Sequence, residues 1–163
     1  MKKSESCLEK MKADYTKFKG RYGLPDFNKL NKDFEIEKVA EHETDYLLRE
    51  IRKIIAEKEI AILRFLEMLL NPSNAPFFVF SIIKNLSNAD KKVIEKIYEA
   101  ICDFEISAIS LDLVYDEKKE AEFINNASKK WNEMSDDLKE FSNIISRAWK
   151  TSSGEKTKKD YFG

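Results

Sequence analysis

Histidine is almost missing from this chain: His42 is the single one in 163 residues. A carboxylate-bridged metal bundle needs a Glu-x-x-His pair on each of two helices. Here Val39 stands three residues before His42, and no second histidine follows. A serine or cysteine nucleophile likewise has no imidazole left to serve it. His42, between Glu41 and Glu43, reads as a surface residue among solvated acids. Cysteine is scarce too. Cys7 and Cys102 have no metal-like spacing, which leaves one disulfide or, as the better reading, two free thiols in a reducing cytosol. Four glycines form no phosphate-cradling loop and no nucleophile elbow. Long apolar runs are absent as well: the most apolar window, residues 61–83, contains Arg64, Glu67 and Pro72, so it does not read as a membrane span. Lys2-Lys3 leads into an amphipathic segment and not the apolar core of a signal peptide. No enzyme, metal or cofactor is expected, and a formal net charge of −1 argues against a dedicated nucleic-acid binder.

What is abundant is charge, 36% of the chain, with few helix breakers among it. Long solvated helices follow. The organising stretch is residues 46–70. Leu47, Ile54, Ala61 and Met68 form one heptad column, and Leu48, Ile55, Ile62 and Leu69 a second. A third runs from Ile51 to Phe65 through Lys58. Three apolar positions in seven make the broad stripe of a helix buried in a bundle. Asn71-Pro72 ends it, because the residue before proline avoids the α region. An acidic lead-in, residues 35–45, would lengthen this spine if it were helical.

Before the spine, Leu8, Met11, Tyr15, Phe18 and Tyr22 fall at helical spacing. That narrow stripe is expected to lie on the bundle surface or to pair with a second copy as a homodimer. Pro25-Asp26 then starts a short helical turn. After the spine, Phe77, Phe78, Val79, Phe80, Ile82 and Ile83 are apolar on nearly all sides and predict a buried cross-piece. Ser87 is a candidate N-cap, with Asp90 favourable at the third position.

Two seams follow: Ile94, Ile97, Ile101, Phe104, Ala108, Leu111 and Tyr115, then Ile124, Ala127, Trp131, Met134, Leu138, Phe141, Ile145 and Ala148. Ile94 and Ile124 are offset by four heptads plus two, which neither a stutter nor a stammer supplies. A turn near residues 115–117 with Asp116 as N-cap is therefore predicted. The resulting antiparallel hairpin packs Ile101 and Phe104 against Trp131 and Met134. A rival pattern is the strand-like alternation of Ile109, Leu111, Leu113 and Tyr115. Trp131 and Trp149 are expected in the core.

Two constellations carry whatever chemistry there is. Tyr98, Glu105 and Asp112 lie seven apart, either as carboxylates facing a cleft or as half-exposed partners of lysines such as Lys58. The ends of the chain are basic: seven basic against three acidic side chains in residues 1–23, and four lysines from Lys150 onward. Interleaved acids favour ordinary solvated faces over a nucleic-acid fringe. Residues 151–163 have no periodicity and are expected to be a flexible tail. Lys158, Lys159, Tyr161 and Phe162 at its end are candidate partner-binding residues, the lysines steering approach and the aromatics anchoring.

The phrases Leu24-Pro25-Asp26-Phe27-Asn28-Lys29-Leu30, Leu47-Leu48-Arg49-Glu50-Ile51-Arg52, Ala121-Glu122-Phe123-Ile124 and the closing Tyr161-Phe162-Gly163 resemble those of small uncharacterised archaeal all-helical proteins. The resemblance implies an archaeal cytoplasmic setting and transfers no activity and no site residue. The expected fold is a single all-α bundle of about five helices over residues 1–150, with a long central helix and a C-terminal helical hairpin. The expected function is that of a non-enzymatic protein-protein interaction or adaptor protein. A nucleic-acid accessory and a small-ligand- or metal-binding bundle are the alternatives.

Overall fold

The computed structural model describes the backbone of residues 2–41 and 44–159, with side chains described within 7–41, 44–73 and 75–152. Seven α-helices dominate: α1 Lys2–Tyr22, α2 Phe27–Phe34, α3 Leu47–Leu70, α4 Phe77–Ile83, α5 Asn88–Leu113, α6 Glu117–Glu133 and α7 Ser135–Lys159. Two 3-10 turns, Ile36–Glu41 and Pro72–Asn74, lie between them. No strand occurs among the described residues, so the protein is all-α, with more and shorter elements than five helices.

Local chemistry sets the boundaries. Gly23, at φ 63, takes the left-handed conformation that closes α1, its N–H donating to the Lys19 carbonyl at 2.9 Å. Asp26 caps α2 by accepting from the Asn28 N–H at 3.0 Å. Ser87 and Asp90 form a reciprocal capping box at the start of α5: the Asp90 N–H donates to Ser87 Oγ at 3.2 Å, and the Ser87 N–H to Asp90 Oδ2 at 2.8 Å. Asp116 caps α6, accepting from the Lys119 N–H at 3.2 Å. The turn between α5 and α6 therefore falls where the seam phase puts it, and α5 stays helical through Leu113 where strand-like alternation was the rival.

The chain groups into two compact units. The first holds residues 1–60 and 103–132, the second 61–102 and 133–163. In the first unit the α1 stripe, the N-terminal half of α3, the C-terminal half of α5 and α6 share one apolar cluster, with Tyr15, Leu30, Ile51, Ile55 and Ile124 almost fully buried. Phe104 and Trp131 pack against this cluster. In the second unit Leu63, Leu66, Ile94, Ile97, Ile101 and Met134 form a separate cluster.

Several expectations need correction. Helix α4 is not a buried cross-piece: Val79 and Ile82 are buried, whereas Phe77, Phe78 and Phe80 are exposed. Seven residues turn only one edge inward, and its apolar residues outnumber that edge. Trp149 is exposed rather than core. The last helix breaks at Met134, and the Ser135-Asp136-Asp137 run that follows puts acids in the first turn of α7, where they favour a new helix start. Helix α7 then continues to Lys159, so the first nine residues of the segment expected as a flexible tail are helical. The acidic lead-in holds a 3-10 turn instead of a longer spine.

Candidate functional site

The central polar cluster of the first unit grows from two arginines one turn apart on α3. Arg52 is buried at 1% exposure, and burial, which disfavours its charge, is outweighed by hydrogen bonds to Asp112 and Glu120. Its Nη2 donates to Asp112 Oδ1 at 2.6 Å and its Nε to Glu120 Oε2 at 2.9 Å. Arg49 Nε donates to the other oxygen of Glu120 at 3.3 Å. Arg49 Nη2 donates to the Leu111 carbonyl at 2.6 Å, satisfying an orphan acceptor in the last turn of α5. Above it, the Arg49 guanidinium lies 5.2 Å from the Tyr115 ring centre, and Tyr46 meets the same ring edge-on at 5.0 Å. Two cations and two anions balance, and the donors and acceptors named here are spent on one another. Chemically this is a clamp: it ties the end of α5 and the start of α6 to α3.

What the clamp holds in place is the outer face of α5. At about 100° per residue, Ile106, Ile109 and Leu113 project on the side opposite Phe104, Ala108 and Leu111. Ile106 is 67% exposed, Leu113 79% and Val114 70%, with Ile109 half exposed beside them. The serines within the stripe do little to polarise it. Ser107 and Ser110 turn their hydroxyls onto the carbonyls of Asp103 and Ile106, at 2.9 and 3.1 Å. Residues 103–117 contain Asp103, Glu105, Asp112, Asp116 and Glu117 and no lysine or arginine, but Asp112 is paired with Arg52, Asp116 with Lys119 and Glu117 with Arg21, which leaves Asp103 and Glu105 as the acids of this stretch outside an ion pair among the described residues. Isolated exposed aliphatics are ordinary; here they form a continuous row at i, i+3 and i+7 spacing.

The residues singled out from the sequence land differently. Asp112 pairs with Arg52 and not with a lysine, and that hydrogen bond is the main reason its carboxyl lies below the usual range. Lys58 is engaged elsewhere, donating to the Asp33 carbonyl and lying over the Phe34 and Trp131 rings. Glu105 is half-buried on α5, and Tyr98 packs on the apolar cluster of the second unit. Glu105 and Asp112 belong to the first unit and Tyr98 to the second. His42 lies outside the described residues, as do Tyr161, Phe162 and the side chains of Lys158 and Lys159. Among the described residues no group of three or more His, Cys, Asp or Glu could hold a metal ion.

No protein-family model, curated protein or solved structure matches this chain.

Two further features were not legible beforehand. A groove of about 840 Å³ in the first unit is lined by Lys38, Lys53 and Lys58 together with four glutamates. Lys38 pairs with Glu35 and Lys53 with Glu50, so it offers no field of one sign to a charged ligand. Glu59 on α3 is 1% exposed, and neither carboxylate oxygen has a hydrogen-bond partner. Burial alone pushes its carboxyl up to about 8, which keeps it protonated near neutrality. No helix among the described residues is long and apolar enough to cross a membrane.

Proposed function

We propose that this protein is a non-enzymatic interaction protein whose α5 stripe receives a basic amphipathic helix. The observation behind this reading is the row Ile106, Ile109, Leu113 and Val114, exposed on a clamped helix that also carries the acids Asp103 and Glu105. Full burial of an aliphatic side chain stabilises by about 1.5–3 kcal/mol, so covering four that are half to four-fifths exposed supplies about 4–8 kcal/mol before the cost of association. That gross gain is no more than the roughly 8 kcal/mol net of a micromolar complex, so weak binding follows, with acids selecting lysine-rich partners and rejecting acidic ones. Nucleic-acid contact through α1 has less behind it, since Lys17, Lys19 and Arg21 are turned onto Asp14, Asp26 and Glu117. We place the protein in the cytoplasm, where the free thiols of Cys7 and Cys102 suit a reducing medium.

The test uses a synthetic helix with leucine at i, i+3, i+4 and i+7 and lysine elsewhere, read by fluorescence anisotropy. Binding is expected for the natural chain, is lost in the Ile109→Ser/Leu113→Ser variant, and weakens with salt. Equal binding of the variant, or of a peptide with glutamate in place of lysine, would overturn the reading.

A further inference from the structure

Within the second unit, helix α4 turns aromatic rings outward. Val79 and Ile82 are its buried residues, and α4 packs on α7. At about 100° per residue, Phe77, Phe80 and Lys84 fall together on the face opposite Val79 and Ile82. Phe77 has a neighbour of its own yet remains 78% exposed; Phe78 and Phe80 are 46% and 39% exposed. Two hydrogen bonds hold the next stretch of chain against α7. Asn85 Nδ2 donates to the Ala148 carbonyl at 3.1 Å, and Arg147 Nη2 donates to Asp90 Oδ1 at 2.7 Å. The charge that matters here is what remains after ion pairing. Residues 71–92 and 141–154 contain Lys84, Lys91, Lys92, Arg147 and Lys150 against Asp90 alone. Arg147 and the buried Asp90 neutralise each other. Lys84, Lys91, Lys92 and Lys150 are exposed and belong to no ion pair among the described residues. Four uncompensated cations thus accompany an aromatic face.

We propose that α4 docks on an anionic lipid surface, its phenylalanines entering the interface while the lysines meet headgroup phosphates. Exposed phenylalanine beside unpaired lysine is the composition of helices that lie in the headgroup region. The lysines supply the complementarity, because a negatively charged leaflet attracts cations that no carboxylate of the protein already holds. The aromatics supply the rest. They stand on the outer face of a helix and not in a hollow, and lipid yields around such side chains where a protein partner must bring a matching pocket. A nucleic acid would use the same lysines but stacks its bases on rings laid along a charged groove. The contact is peripheral, since no described helix can cross a membrane. With only part of three phenylalanines to bury and no acyl chain in play, it is reversible and needs both the rings and the charges. The surface lies in the second unit and does not depend on the α5 stripe.

Cosedimentation of the full chain with vesicles of phosphatidylcholine containing about 30% phosphatidylserine tests the proposal. The natural chain is expected in the pellet at low salt, to bind less at high salt, and to bind vesicles of phosphatidylcholine alone far more weakly. Each lysine near a charged surface contributes about fivefold, so Lys84→Ala/Lys150→Ala is expected to bind about 25-fold more weakly. Phe77→Ser/Phe80→Ser is expected to lose binding, with melting curves checking that it is folded. The lysine variant removes no buried side chain, so it decides the matter if the aromatic variant unfolds. Ile109→Ser/Leu113→Ser, altered only in the α5 stripe, is expected to bind vesicles as the natural chain does. A natural chain that stays in the supernatant, equal binding to neutral vesicles, an unweakened lysine variant, a folded aromatic variant that still pellets, or a stripe variant that does not would each overturn the proposal. Binding to single-stranded RNA without binding to vesicles would assign the lysines to nucleic acid and overturn it as well.

Discussion

Replacing Glu59 with methionine removes a buried carboxyl and leaves an unbranched side chain to follow the same path through the core. The natural carboxyl titrates near 4.5 in an unfolded chain and at about 8 in the fold. Between those values the folded chain holds a proton that the unfolded chain has released, so stability falls as pH rises through this window and levels off above it. A shift of that size corresponds to about 4–5 kcal/mol. Below the window the carboxyl is neutral in both states, and its unmade hydrogen bonds still cost about 1–3 kcal/mol. Glu59→Met is therefore expected to be more stable than the natural chain by about 1–3 kcal/mol near pH 5 and by several kcal/mol more near pH 9. Urea denaturation followed by circular dichroism at a series of pH values measures both curves. The carboxyls of Asp26, Asp90 and Asp112 lie below the ordinary range, so they titrate outside this window and cancel in the comparison. Parallel stability profiles for the two proteins from pH 5 to 9 would refute the reasoning.

Arg52→Met leaves the fully buried Glu120 with Arg49 as its one cation and should cost about 3–5 kcal/mol, whereas a double replacement with Glu120→Met should recover most of it. A double-mutant cycle in urea checks this, and additive losses would show that the two do not act as a pair. Ile55→Ala, at a site with no exposure, should cost about 2–5 kcal/mol; Ile62→Ala, half-buried, should cost clearly less, and Glu57→Ala on the exposed side about half a kcal/mol or less. Equal losses at the three positions would mean that the buried face of α3 is misassigned. Asp116→Ala removes the cap of α6 and should lower stability by about 0.5–2 kcal/mol, visible as a lower melting temperature; an unchanged transition would show that the cap is idle.

The all-α class, the spine and the turn before α6 were legible because each rests on a local signal: period, proline or seam phase. Side-chain fates that depend on a partner far along the chain were not. The buried edge of α3 runs through Arg52 and Glu59 to Leu66, a heptad column passed over because two of its members are charged. Only Asp112 and Glu120, sixty and sixty-eight residues from Arg52, make the burial of that arginine tolerable. The face of α4 was misjudged for a related reason, since apolar sequence requires cover only where a neighbour supplies it. The alternation of Ile109, Leu111, Leu113 and Tyr115, kept as a rival to the helical seam, runs along the end of α5 and not along a strand. On a helix, residues two apart face nearly opposite ways, so Leu111 reaches the core while Ile109 and Leu113 reach solvent. Strand-like alternation inside a helical seam is the pattern of a helix apolar on both faces.

Amide chemical shifts of the ¹⁵N-labelled chain, followed while the lysine–leucine helix is added, test the central claim most directly. If the α5 stripe is the docking face, the shifts that move first and furthest belong to residues 103–117, and they stop moving in Ile109→Ser/Leu113→Ser. Shifts confined to α1, or to the groove lined by Lys38, Lys53 and Lys58, with residues 103–117 unmoved, would contradict it.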